Sequence, residues 1–437
     1  MSLSLVSNAY IEETSAKIRS KPVPWEAYQR AGLVTSEELS LIKKVDRQPR
    51  AKTESLLQSD GQTYAHLYLR LLKKLNRVDT MQWILVLITD ALADHEERTQ
   101  WFRRAAEKDP ELPYGPLLRT LESQDEFLQL KSSQILTVLL SSESSPIQTQ
   151  HLQPFLEVLS GLLQSTSSNK RDTAVQCLEA LLSRTEARKA VWSHSKIIIG
   201  LREILRNKPN AQMSYQICFC FWLLSFEQEI AENINKKYDI IPLLTDTAQA
   251  AVKEKVIRVI VATFRNLVTK APSQNLPSML VSELLPFAKS LCGRKWTDED
   301  IIEDVQFLRD ELKARFDSLT TWEEYTAELQ SGHLHWSPVH ESESFWQENA
   351  GKLCDHDYAQ LKLLVKLLNE SSDPTVLAVA AHDLGQFVKY CDRGKKVVAD
   401  FGAKTRVMQL MTHENADVRY RSLISVQRLL SQPWRAA

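Results

Sequence analysis

The sequence predicts an all-α protein, an armadillo/HEAT-like right-handed helical solenoid in two domains joined by a short linker. Three observations lead to this fold class. Only 11 of the 437 residues are glycine, although hairpins and phosphate-binding loops need glycine where φ is positive. Apolar residues recur at helical spacing, and a segment of about 40 residues repeats. Third, we find no alternating apolar run, bounded by turns, that would predict a β-strand.

Helical periodicity is clearest in the second half of the chain. Apolar residues at positions i, i+4 and i+7 predict helices over 252–267, 301–312 and 361–368. Capping-box pairs, in which Ser or Thr precedes Glu by three positions, mark further helix starts. These pairs are Thr35 with Glu38, Ser123 with Glu126, and Thr321 with Glu324.

Two segments are apolar on nearly every helical face, Trp83 to Ile88 and Ile217 to Leu224. A helix that is apolar all round must be covered on every side. In a repeat array such a helix lies between neighbouring repeats. We therefore predict that both segments are inner helices.

The repeat itself is best seen near the C-terminus. Residues 373–388 align with residues 415–430 at an offset of 415 − 373 = 42 positions, which is within the armadillo/HEAT range. Both segments begin with a polar turn and place a small residue, Ala380 or Ser422, where helices would cross closely. Weaker copies lie at 132–140, 174–182 and 263–268.

The domain boundary is placed where a long helix is expected to end, near Arg315. The following residues, Phe316 to Thr320, are read as a short linker. This gives an N-terminal armadillo/HEAT-like solenoid domain at 1–317 and a C-terminal armadillo-like domain at 318–437. Loops between helices are expected at Ser141–Ser145, Ser165–Ser168 and Pro272–Pro277.

Composition excludes several classes of protein. The formal net charge of −1 argues against a nucleic-acid ligand, because phosphate binding needs a basic surface. The longest apolar run, Ile217–Leu224, is far shorter than the roughly 20 residues of a membrane span. Residues 1–10 do not resemble a secretory signal. We expect a cytoplasmic protein that reaches membranes only through partners.

The cysteine pattern favours free thiols. The six cysteines contain no C-x-x-C pair, so neither a zinc framework nor a disulfide framework is predicted. We expect them to be small buried apolar side chains in a reducing compartment.

Known catalytic motifs are absent from the sequence. It has no G-x-x-x-x-G-K-[ST] or G-x-G-x-x-G loop, no H-E-x-x-H and no G-x-S-x-G. His382 and Asp383 are adjacent on a predicted helix and so do not form a ready-made dyad. The acidic run 298–304 fits a solvated helix start, with contact to a basic partner as the alternative. We predict no catalytic residues and no cofactor.

Three histidines, His333, His335 and His340, lie close together and, with neighbouring glutamates, suggest a metal site. The same segment is rich in aromatic residues and proline, which is typical of an irregular linker anchored by aromatic side chains. We favour a structural or partner-contact role over metal binding. The residues concerned are Trp336, Pro338, His340, Phe345 and Trp346.

Long runs in the second half of the chain, in consistent order, carry a family resemblance. The most specific are WSPVH at 336–340, SFWQEN at 344–349 and VLAVAAHDLG at 376–385. Others lie at 238–242, 252–256, 264–266, 298–301, 324–332 and 418–420. Together they resemble the H subunit of the V-type proton ATPase. The resemblance is strong from about Gln212 to the end, and the serine-rich region 141–168 departs from it.

The resemblance implies a non-catalytic, two-domain regulatory subunit of the peripheral cytosolic sector. Such subunits support ATP-driven proton pumping in the assembled complex and suppress ATP hydrolysis when the soluble sector detaches. The N-terminal domain would bind the peripheral stalk, which consists of the E and G subunits. The C-terminal domain would contact the membrane-embedded a subunit, or the rotor or catalytic ring after detachment. The complex would lie on the cytosolic face of vacuolar membranes.

Partner contacts are assigned to the Trp336–Trp346 segment and to exposed basic residues of the last repeat, Arg419 and Arg421. The alternative is that the aromatic residues only anchor the linker to the C-terminal domain. Two other functions fit the sequence less well. A peptide-binding armadillo adaptor needs regularly spaced Trp and Asn, whereas Trp222 and Asn266 are isolated here. A nucleic-acid glycosylase needs a basic concave face, which the charge balance does not suggest.

Overall fold

The computed structural model describes residues 8–93, 95–142, 146–318 and 321–431. Within these ranges the regular structure is entirely helical, which confirms the predicted fold class. The chain divides into two compact units, Met1–Leu308 and Arg309–Ala437. The division falls within one helix, α19 (Glu299–Ser318). The expected linker residues Leu319 and Thr320 lie outside the described ranges.

The first unit consists of short helices and two 3₁₀ turns, Glu96–Arg98 and Arg104–Glu107. Asp60 interrupts α4 with a non-helical backbone. The helices are α1 (Ala9–Ser20), α2 (Trp25–Arg30), α3 (Ser36–Val45), α4 (Arg50–Lys74), α5 (Val78–Leu92), α6 (Thr99–Arg103), α7 (Tyr114–Leu121), α8 (Glu126–Ser141), α9 (Thr149–Leu163), α10 (Ser168–Leu181), α11 (Thr185–Ser193), α12 (Ser195–Arg206), α13 (Ala211–Leu224), α14 (Gln228–Tyr238), α15 (Ile240–Ala250), α16 (Glu254–Lys270), α17 (Pro272–Val281) and α18 (Leu284–Cys292).

Five of these helices form the inner row of the first unit, where α5, α8, α10, α13 and α16 pack each on the next. Polar side chains at their N-terminal ends bond to the corresponding end of the neighbouring repeat, at sequence separations of 41 or 43 residues. The repeat inferred from the sequence therefore recurs as a ladder of contacts. Its rungs are Gln82–Asp125, Glu126–Ser167, Gln212–Lys255 and Glu254–Thr297.

The two segments predicted to be covered on every side behave differently. Residues Trp83–Ile88 on α5 are buried except for the half-buried Leu87. On α13, however, Phe219 and Trp222 are only half-buried, so the prediction for Ile217–Leu224 is wrong on one face. On α5, Trp83 is covered by Trp25 of α2, with ring centroids 5.0 Å apart, and α1 packs across α5 and α8.

Several predicted helix ends are changed by the structure. The Thr35–Glu38 capping box is confirmed, since each side chain bonds the other's backbone N–H. Asp125, not Ser123, is the N-cap of α8. Thr321 accepts a hydrogen bond from the Glu324 N–H at the start of the next helix.

Of the three predicted loops, one separates two helices, one is helical and one lies partly outside the described residues. Residues 164–167 do separate α9 from α10. The expected loop Pro272–Pro277 is instead the start of α17, because proline is compatible with the first helical position. Ser141 ends α8, and Glu143–Ser145 lie outside the described residues. The helix expected to end near Arg315 continues to Ser318.

The second unit continues from α19 with eight further helices among the residues described. Residues 356–358 interrupt α23 with positive φ, and a 3₁₀ turn spans Ala350–Cys354. The helices are α20 (Trp322–Ser331), α21 (Pro338–Glu341), α22 (Glu343–Asn349), α23 (Asp355–Glu370), α24 (Pro374–Tyr390), α25 (Gly394–Asp400), α26 (Ala403–Leu410) and α27 (Ala416–Leu430).

The aligned repeats at the C-terminus are α24 and α27, and they pack directly against each other. Each begins after an Asx N-cap, Asp373 or Asn415. The backbones approach closely because Gly385 faces Ser425, whose hydroxyl donates a 2.5 Å hydrogen bond to the Ala381 carbonyl. Small residues thus set the separation of the two helices, but the close contact is made by Gly385 and Ser425 rather than by the aligned pair Ala380 and Ser422.

We expect Gly385→Val to destabilise the second unit by about 2 kcal/mol, because overpacking a tight contact forces the helices apart. A Cβ at this position would overlap Ser425 Oγ and lie 3.2 Å from Ser425 Cα. Chemical denaturation followed by circular dichroism measures the loss. Gly351→Ala is the control, since a Cβ there meets no atom within 4 Å. Equal stability of the two variants would contradict the close crossing.

Candidate interaction surfaces

The aromatic residues of the 336–346 segment mostly form the core of the second unit. Trp346 and Phe345 are 0% and 2% exposed and pack around Tyr325 with ring centroids 5.4 Å away. Trp346 Nε1 donates a 2.9 Å hydrogen bond to the His340 carbonyl. These side chains cannot touch a partner without unfolding, so they anchor the segment.

His340 lies at the centre of a buried ionic cluster. Its Nδ1 is 2.7 Å from Asp383 Oδ2, and its Nε2 is 2.8 Å from Glu328 Oε2. Both His340 and Asp383 are fully buried. His382 Nδ1 adds a 3.2 Å contact to Asp383 Oδ1, although adjacent residues on a helix were not expected to meet. Residues from α20, α21 and α24 thus converge on one imidazole.

The charges of His340, Asp383 and Glu328 follow from the contacts that the imidazole makes with the two carboxylates. Burial disfavours a charged imidazole, but the Asp383 carboxylate, assisted by Glu328, outweighs burial and raises the pKa of His340 to about 9. Burial likewise opposes the ionised Asp383, yet His340 lowers the pKa of that carboxyl. Glu328 has its pKa lowered by the same partner, against burial. The cluster is a carboxylate–imidazolium–carboxylate triad at neutral pH.

Trp336 joins the start of this segment to the last helix of the unit. Its ring lies 4.2 Å from the Arg421 guanidinium and 5.3 Å from the His382 ring. Its Nε1 donates a 3.3 Å hydrogen bond to Asp417, which also accepts one from Arg421 Nε. Arg421 is therefore engaged in packing within the unit.

The two remaining candidates also have structural partners. Pro338 occupies the first position of α21, where its fixed φ is suited to a helix start. Arg419 is exposed, but its Nη1 donates to the carbonyl oxygens of His413 and Glu414. Of the seven candidate residues, Arg419 alone presents a largely exposed side chain.

The histidines named in the metal hypothesis are not brought together on one ion site. His340 is buried, whereas His333 and His335 are exposed. Among the residues that the structure describes, no group of His, Cys, Asp and Glu is arranged to hold a metal ion.

The cysteines are free thiols. Cys177, Cys218 and Cys220 are buried, as predicted, while Cys292 is exposed and Cys354 and Cys391 are half-buried, so these three depart from the prediction. Burial raises the pKa of Cys177 and Cys218 to about 12, which makes these thiols unreactive.

An apolar stripe on α27 is the clearest exposed surface of the second unit. Tyr420, Leu423 and Leu430 are 58%, 50% and 59% exposed and lie on one helical face. The last helix of a repeat array normally presents a polar outer face. Sequence reasoning missed these residues because their spacing matches that of the buried ones; the signal was that apolar positions occupy more than one face of α27.

The first unit has its own partly exposed aromatic surface, along α13 and in the turn after it. Tyr215, Phe219, Trp222 and Phe226 follow each other with ring centroids 5.9, 5.0 and 4.9 Å apart. They line a cavity of about 530 Å³, which is walled by α16 and the start of α19. No helix among the described residues is long and apolar enough to cross a membrane.

Comparison with known proteins places the chain in a family. Family models described as the V-ATPase H subunit match residues 9–312 and residues 318–434. The V-type proton ATPase H subunit of Drosophila melanogaster is 33% identical over 98% of this chain and 92% of its own length. The probable H subunit of Oryza sativa subsp. japonica is also 33% identical, over 96% of this chain and 97% of its own. The second probable H subunit of Caenorhabditis elegans is 30% identical over 98% and 93%. The chain belongs to the family of V-type proton ATPase H subunits.

Proposed function

We propose that this chain is a non-catalytic regulatory subunit on the cytosolic, peripheral sector of a V-type proton ATPase. It supports ATP-driven proton pumping in the assembled complex and inhibits ATP hydrolysis by the detached catalytic sector. The observation that carries the proposal is family membership along both units. The relatives bear the name of a complex subunit.

The division of labour between the domains is part of the proposal. The N-terminal domain, 1–317, binds the peripheral stalk of E and G subunits. The C-terminal domain, 318–437, contacts the membrane-embedded a subunit in the assembled complex and the rotor or catalytic ring after detachment. Two compact units with separate cores support this view, because each can be held by a different partner.

Inhibition would then come from bridging a static part to a rotating part. Such a bridge blocks rotation without touching the nucleotide site. It requires that the C-terminal domain bind its two alternative partners with different free energies in the two states of the complex. On α27, Tyr420, Leu423 and Leu430 provide an exposed surface for one of these contacts.

We expect the isolated chain to hydrolyse no ATP and to lower the ATPase rate of the detached catalytic sector when added at saturation. A Tyr420→Asp, Leu423→Asp variant should fold normally but inhibit at least about tenfold less strongly, since charge on an apolar contact opposes its desolvation. Steady-state ATP hydrolysis and co-purification measure both effects. Glu323→Lys, at an exposed position on α20, is the matched surface control.

Two results would contradict the proposal. An ATPase rate that stays unchanged while the chain is bound at saturation removes the inhibitory role. Co-purification with the catalytic sector that persists fully after deletion of residues beyond Leu319, with inhibition also intact, removes the role assigned to the C-terminal domain.

A further inference from the structure

The aromatic groove of the first unit is formed by Tyr215, Phe219 and Trp222 on α13 and by Phe226 in the turn that follows this helix, with α16 and the start of α19 as its wall. The spacing of 4 and 3 positions places the three α13 rings on one helical face, and the Phe226 ring lies 4.9 Å from the Trp222 ring. Buried residues of the same helix, such as Ile217, point away from this face. The groove is therefore an unpartnered face of an inner helix.

On another inner helix of the first unit, α8, the residues are buried and a further helix packs across it. On α8, residues 130–141 are all buried, and α1 packs across α8 and α5. On α13, by contrast, Phe219 and Trp222 are only half-buried, and Phe226 in the following turn is 41% exposed. The Trp222 indole N–H also finds no acceptor among the described residues. The row of inner helices is covered at its beginning and open further along.

Helix α1 shows what this row of helices binds. It is a 12-residue amphipathic segment that buries Ile11, Ser15 and Ile18, at positions i, i+4 and i+7. At its C-terminal end Arg19 forms a bidentate ion pair with Asp90 of α5. An apolar stripe therefore faces the inner helices, and a basic side chain reaches a carboxylate on them.

The rim of the aromatic groove offers carboxylates in the same way. Asp300 and Glu303 on α19 are 82% and 73% exposed in their side chains. Each contacts one guanidinium, that of Arg258 or Arg265, so oxygen atoms remain open to solvent. The two arginines are also paired with Asp298 and Asp304. On the α19 side of the rim the two carboxylates are more exposed, at 82% and 73%, than the guanidinium groups that they contact, at 47% and 35%.

The floor of the groove also suits cations. Lys255 already lies 4.6 Å from the Tyr215 ring. Among described residues no cationic side chain covers Phe219 or Trp222, so these rings leave faces on which a Lys or Arg of a partner can stack.

We propose that the aromatic groove binds a short amphipathic helix from another polypeptide. This helix presents an apolar stripe at i, i+3 or i+4, and i+7 to the α13 aromatics and directs Lys or Arg to Asp300 and Glu303. The binding mode continues along α13 the one that α1 uses on α5 and α8. The proposal is independent of the ATPase role, because it concerns a surface of the isolated chain.

The test uses the full chain and three fluorescein-labelled peptides of about 14 residues, long enough for three to four helical turns. The first is a helix former with leucine at the stated spacing and flanking Lys and Arg. The second replaces the basic residues by Glu, and the third is an extended, proline-containing basic peptide. Fluorescence anisotropy gives the affinities, and quenching of tryptophan fluorescence that disappears in the Trp222→Ala variant reports the site.

We expect the basic helix to bind at least about tenfold more tightly than the acidic one, with an affinity that falls as salt rises. Asp300→Lys with Glu303→Lys should weaken it by a similar factor, and Trp222→Ala should weaken it further. Both rim positions are exposed, so this variant keeps its fold. Glu157→Lys, an exposed change on α9 outside the groove, should have no effect.

Three outcomes would overturn the proposal. One is equal binding of the basic and acidic helices. Another is an affinity for the basic helix that the Asp300→Lys, Glu303→Lys variant leaves unchanged. The last is tighter binding of the extended peptide than of the helix.

Discussion

Replacing His340 by leucine is expected to destabilise the second unit by about 3–5 kcal/mol, because removal of one partner leaves the buried Asp383 carboxylate uncompensated. Asp383 is fully buried, and its shortest hydrogen bond is the one to His340. Native-state hydrogen exchange of α24 amides measures the local free energy of unfolding. The first unit should be unaffected.

A double substitution distinguishes the effect of an uncompensated Asp383 carboxylate from a loss of packing. Asp383→Leu together with His340→Leu should be clearly more stable than the sum of the single changes predicts, since the pair is then replaced by apolar groups. Additive losses would show that the ionic contact contributes nothing. Glu328 keeps access to solvent, with 14% of its side chain exposed.

The cluster also gives the stability of the second unit a defined pH dependence. The pKa of His340 is raised from 6.5 to about 9, so its contribution is complete below about pH 6.5 and is lost as the pH rises through 9. The shift corresponds to about 3 kcal/mol. His340→Leu should abolish this alkaline loss. Asp383 and Glu328, whose pKa values are lowered, contribute stability that is lost as the pH falls through those lowered values.

Replacing Trp346 by alanine is expected to cost about 3–5 kcal/mol of stability in the second unit, as truncation of a fully buried aromatic does. The ring is 0% exposed and packs on Tyr325 and Phe345. Thermal unfolding of the full chain measures the loss. Any decrease in binding to the catalytic sector, or in inhibition of its ATP hydrolysis, should be proportional to the fraction of the variant that is unfolded.

The matched comparison is Leu423→Ala on the exposed face of α27. The Leu423 side chain is 50% exposed and therefore contributes little to folding. We expect this substitution to change the free energy of unfolding by no more than about 0.5 kcal/mol, as is usual for a surface position. If Trp346→Ala melted normally and lost inhibition, the segment would be an interface. That result would contradict the packing of Trp346 in the core of the second unit.

Much of the fold could be predicted because helical patterns are local in sequence. The 42-residue alignment of α24 with α27 rests on spacing alone, and the structure places both helices in contact. Burial was harder to predict, since Trp83 and Trp222 lie in equally apolar segments. Their different exposure depends on residues distant in sequence, since Trp25 of α2 packs on Trp83 with ring centroids 5.0 Å apart, whereas Trp222 borders an open groove.

The contacts within the candidate site could not be predicted from local sequence patterns either. Nothing local reveals that His340 meets residues 12 positions before and 43 positions after it in sequence. The sequence left open whether the aromatic residues of the 336–346 segment contact a partner or anchor the linker, because its local pattern is compatible with both. Leu430 was aligned with the buried Val388, yet it is 59% exposed, because apolar spacing does not say which helical face another helix covers.

The ladder of polar contacts between inner-helix ends has a mechanical consequence. Each rung joins only neighbouring repeats, as in Gln82–Asp125 and Glu254–Thr297. Across each interface such a rung acts beside the apolar packing of the two helices. The rungs lie at the helix ends, part-buried at Gln82–Asp125 and exposed at Glu254–Thr297, so under tension along the first unit one of them can break and re-form while the apolar core between the helices stays intact.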